Sequence, residues 1–93
     1  MQMDHDFHNL IVRSTGNSYL IEFVGRLYDQ ISRIRFLTLK THSERYSEIQ
    51  HEHLRIIDCL LRRDADGASA AMADHLARAH ATAVNTFQKA TLV

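Results

Sequence analysis

Proline is absent from this 93-residue chain, and so is tryptophan. Without proline no helix is interrupted by a missing amide donor, so long continuous helices are favoured. The single cysteine, Cys59, excludes an internal disulfide and fits a reducing compartment. Charge of either sign is not in excess: 11 basic and 11 acidic side chains cancel. That balance lacks the basic footprint of a nucleic-acid binder. No apolar run approaches the ~20 residues that span a bilayer. The first residues, Met1-Gln2-Met3-Asp4-His5-Asp6, have neither the basic start nor the apolar core of a secretory signal, so a cytoplasmic location is expected. A glycine-rich phosphate loop, a His-Glu-x-x-His pair and a cysteine pair are all missing.

What is present is a 45% hydrophobic content and seven histidines. The hydrophobic fraction is that of a globular chain rather than a disordered one. The length allows one small domain, residues 1–93, whose core is marginal without a metal or a partner subunit.

The pattern predicts four helices and no strands. The first covers about Gln2 to Ser14, ended by Thr15-Gly16-Asn17, with Gly16 suited to the left-handed position after a helix. Asn17 or Ser18 is placed to cap the second, about Ser18 to Lys40. Its apolar stripe is Leu20, Phe23, Val24, Leu27, Ile31, Ile34 and Leu37 or Thr38. Gly25 in its middle suggests close packing. The third, about Ser43 to Arg62, turns Tyr46, Ile49, His53, Ile56, Ile57 and Leu60 inward. Asp64 caps the fourth, about Ala65 to Leu92, with Ala68, Met72, His75, Ala79, Ala83 and Thr86–Phe87 on its inner face. Short connections between long amphipathic helices imply an all-α antiparallel bundle.

Four polar residues fall on these inner faces. Asp4 and His8 are four apart, about 40° from each other around a helix axis, and Ile11 continues their face inward. His53 takes an apolar place between Ile49 and Ile56, as does His75 between Met72 and Ala79. A ring on a core stripe must find a partner. Each histidine singly fits a hydrogen-bonded core residue. Jointly with Asp4 they also form an N3O ligand set for a divalent ion: zinc first, with nickel, manganese, iron or cobalt as alternatives. The other histidines read as surface residues: His51 faces away from His53, His80 lies off the His75 stripe, His5 is turned aside from Asp4, and His42 sits in a connection. Cys59 has no histidine at obvious helical reach and reads as a small core residue.

The ordered motifs resemble a known family. Asp4-x-x-Phe7-His8 followed by Ser14-Thr15-Gly16-Asn17, then Glu52-His53-x-x-Ile56, then Arg63-Asp64-Ala65-Asp66-Gly67-Ala68 and Ala71-Met72-x-x-His75-Leu76 are similar to FCD domains, the C-terminal effector domains of GntR-type bacterial transcription regulators. The match runs in order over nearly the whole chain. The resemblance implies a helical bundle holding a divalent metal through Asp4, His8, His53 and His75, and a small carboxylate effector docked on or beside the metal. It implies a regulator module and not an enzyme. The family's winged helix-turn-helix and its first bundle helices have no counterpart here, so no direct DNA binding by this chain is expected. Four helices in place of six or seven should leave an apolar seam exposed and favour a homodimer. Arg35 has no acidic partner at helical spacing and flanks the inner face with Tyr28; with Tyr46 it is a candidate for clamping the effector carboxylate. Two other readings stand beside this one: a small helical enzyme with a metal-activated water, for which Asp58 and Asp74 are the acids near in sequence, and a metal-free structural oligomer.

Overall fold

A computed structural model describes the backbone of residues 2–91 and the side chains of residues 4–88. The fold is all-α, with four helices among the described residues: α1 Gln2–Ser14, α2 Ser18–Thr41, α3 Arg45–Leu61 and α4 Ala65–Thr91. Among the described residues there is no strand. Leu92, the expected end of α4, lies outside the described residues.

The boundaries follow from local hydrogen bonding. Gly16 takes the left-handed conformation after α1 (φ 67°), and its N–H donates to the Arg13 carbonyl at 3.1 Å. Asn17, rather than Ser18, caps α2: its Oδ1 accepts the Leu20 N–H at 3.1 Å. α3 begins two residues later than the pattern suggests, because residues 42–44 close a turn in which Arg45 N–H donates to the His42 carbonyl. At its other end Arg63 is left-handed (φ 56°), with Asp64 N–H bonded to the Cys59 carbonyl and Arg63 N–H to that of Leu60. These two bonds satisfy the last carbonyls of α3 in a Schellman motif, held by an arginine where glycine is usual. Asp64 then caps α4 as expected, its Oδ1 accepting the Gly67 N–H at 2.9 Å.

The chain divides into two units, one running through Phe36 and the other starting at Leu37. In the first, α2 returns antiparallel to α1, so that Tyr28 and Arg35 of α2 both meet Asp4 near the start of α1. In the second, α3 and α4 form an antiparallel hairpin across the three-residue turn 62–64. Ile56, Cys59 and Ala71 are its buried apolar residues, with Leu39 also buried.

The inward stripe of α3 is rotated from the expected one. Arg45 and Cys59 are buried where Tyr46 and Leu60 were expected, and those two are about half exposed. On α2, Thr38 is buried and Leu37 is not, while Leu20, Phe23, Leu27 and Ile31 form an exposed apolar seam of the expected kind. Gly25 marks no close packing, since a Cβ there would meet nothing within 4 Å.

Candidate metal centre

The first unit supplies a carboxylate and a ring. Asp4 lies in the first turn of α1, where a negative charge is favoured by the exposed amide N–H groups. His8, one turn on, places Nε2 3.5 Å from Asp4 Oδ1. The other oxygen of Asp4 is held from α2: the Tyr28 hydroxyl donates to Oδ2 at 2.5 Å, and the Arg35 guanidinium pairs with the same atom. Arg35 also lies over the Tyr28 ring, 5.2 Å from its centroid. Burial pushes the Tyr28 hydroxyl up to about 12, so it stays a donor. Burial likewise lowers the pKa of His8, which favours the neutral ring, the form that ligates a metal. Arg35 therefore does have an acidic partner. It is Asp4, 31 positions earlier in the chain, and helical spacing within α2 gave no sign of it.

The second unit supplies two rings. His53 of α3 and His75 of α4 are buried with ring centroids 4.8 Å apart at 71°. His75 Nδ1 lies 2.6 Å from Glu52 Oε1. Arg45 donates to both oxygens of Glu52, at 2.7 and 2.8 Å. Burial alone would raise the Glu52 carboxyl, but the hydrogen bonds and charges of Arg45 and His75 outweigh it and hold the pKa below the usual value.

Sequence reasoning did not assign roles to Glu52 and Arg45. The available signals were the seven-residue spacing that puts them on one helix face and the position of Glu52 beside a core histidine. Tyr46, an expected effector contact, is 48% exposed and lies seven residues, about 10 Å along the helix, from His53. Asp58 pairs with Arg62, and Asp74 with Arg78 and Arg55, all at the hairpin surface. His42 is more enclosed than a surface reading suggests. Its side chain is 17% exposed, with Nδ1 3.3 Å from Glu44 Oε1.

The donor sets suit a divalent ion. Asp4 and His8 offer ligand atoms within 4.8 Å of each other, and so do His53 and His75. One carboxylate and neutral imidazoles fit borderline metals such as zinc. The histidine held by a carboxylate through its other nitrogen is the usual outer arrangement of such ligands.

Each unit thus holds buried groups able to ligate a metal. Comparison with known proteins identifies the family. A family model described as the FCD domain matches residues 1–78, which include all four candidate ligands. Over 75 residues the chain is 29% identical to the uncharacterized HTH-type transcriptional regulator BphR of Paraburkholderia xenovorans (strain LB400), covering 81% of this chain and 30% of that protein. Over 73 residues it is 33% identical to the HTH-type transcriptional repressor GlaR of Escherichia coli (strain K12), covering 75% of this chain and 33% of that protein. No solved structure matches. The chain belongs to the FCD domain family. It spans about a third of the length of these curated relatives.

Proposed function

We propose that the chain is the metal-dependent, organic-acid-sensing module of a GntR-type cytoplasmic transcription regulator, with Asp4, His8, His53 and His75 jointly holding one divalent ion. One observation carries the reading: Asp4, His53 and His75 are each at least nine-tenths buried, and His8 nearly so. Burying so many groups able to ligate a metal is costly unless they are bonded or coordinated. The family membership supports it, since the resemblance puts the ligands at these positions.

The metal, when bound, supplies a Lewis-acid position for an effector carboxylate. The chain's own residues do the rest. Tyr28 and Arg35 fix one oxygen of Asp4, leaving the other on the His8 side. Arg35, already beside that carboxylate, is the candidate to take an effector carboxylate in bidentate fashion, with Tyr28 as a second donor and Tyr46 as a more distant contact. Residues 1–93 act as a single domain, and the seam of Leu20, Phe23, Leu27 and Ile31 is the dimerisation face.

Thermal unfolding with and without added zinc or nickel tests this. Saturating metal should stabilise the wild type by about 3–4 kcal/mol. His53→Ala or His75→Ala should remove most of that gain, and His51→Ala, on the exposed side of α3, should keep it. Equal shifts in all of them would contradict the assignment.

A further inference from the structure

We infer that Glu52, gripped by Arg45, is a positioning residue that fixes the ring and tautomer of His75, and so sets how tightly the centre holds its metal. The inference rests on the metal reading above but concerns residues that reading does not use.

Arg45 is the first residue of α3 and only 3% exposed. A buried guanidinium without a matched partner is strongly destabilising, so its placement calls for a reason. It forks onto both oxygens of Glu52, two turns along the same helix, and this fixes the plane of the carboxylate as a single bond would not. Glu52 Oε1 also faces His75 Nδ1 across to α4 at 2.6 Å. An ionised carboxylate only accepts, so Nδ1 carries the proton and donates. The neutral ring then presents Nε2, with its lone pair, as the ligating atom. Because Glu52 adjoins His53, one stretch of α3 delivers one ligand and orients the other. The negative charge behind the ring also makes Nε2 a stronger donor to a cation. Glu48, 3.9 Å from Arg45 and half exposed, serves as the control.

Two measurements on the full chain decide it. Zinc affinity, by competition with a chromophoric chelator, should fall roughly 10- to 100-fold in Glu52→Gln. The glutamine keeps an acceptor for Nδ1–H but loses the charge and turns an amide N–H2 toward Arg45. Arg45→Lys, which keeps charge without the fork, should fall in between, and Glu48→Gln should match the wild type. Side-chain 15N NMR of the metal-free wild type should show His75 protonated at Nδ1 with Nε2 bare. That second readout stands even where Glu52→Gln does not fold. A wild type that binds zinc while folded Glu52→Gln binds equally tightly, or a His75 protonated at Nε2 alone, overturns this inference and leaves the metal reading intact. A wild type that binds no zinc overturns both.

Discussion

At the scale of single residues, the cost of buried polarity sorts the side chains. Arg45, Glu52 and His75 offset that cost through one another. Thr38 does not: it is 8% exposed, and its Oγ1 has no hydrogen-bond partner among the described residues. An unsatisfied buried hydroxyl costs roughly 1–3 kcal/mol. Thr38→Val, nearly the same shape, should therefore leave stability unchanged or raise it by about 1 kcal/mol, read as a higher urea midpoint at constant slope. A loss of more than about 1 kcal/mol would show that the hydroxyl is used. His53 and His75 were legible from sequence because a histidine on an apolar stripe stands out. Glu52 was not, since a glutamate beside that stripe looks like any solvated helix residue until α4 is laid against it.

At the scale of elements, the helix boundaries that lie between described residues, from the end of α1 to the start of α4, were readable to within two residues, as expected when caps and glycine are local signals. Asn17, Asp64 and Gly16 act through neighbours in sequence. The phase of α3 was not readable. Choosing the inward face by hydrophobicity selects Tyr46 and Leu60. The structure selects Arg45 and Cys59, because Arg45 has Glu52 to bond and Cys59 is small. The left-handed Arg63 was invisible for a related reason: nothing in an arginine announces a conformation that glycine usually supplies. The α3–α4 hairpin tests this packing. Ala71 is 2% exposed, so Ala71→Leu should overpack the contact and destabilise the chain by about 1–3 kcal/mol. The same change at the exposed neighbour Ala70 should stay within about 0.5 kcal/mol. Chemical denaturation of the pair gives the comparison, and equal effects would mean that the helices do not meet at Ala71.

At the scale of the whole molecule, the core is small: among the described residues, four apolar side chains are buried and a string of large hydrophobic ones is left at the surface. A chain of this length and exposure gains from association and from a bound ion. Phe23→Glu, in the centre of the α2 seam, should convert a dimer to a monomer by light scattering without loss of helicity. A wild type that is monomeric at micromolar concentration would contradict the assignment of that face. Family membership followed from motifs in order along the chain. The joint use of Asp4, His8, His53 and His75 is the central claim, and metal content tests it most directly. Protein purified without a nickel column should carry roughly one divalent ion per chain after exposure to zinc and desalting, lost on chelation with a fall in melting temperature. Fewer than ~0.2 ions per chain, with no change in melting temperature on adding zinc or nickel, would contradict the account.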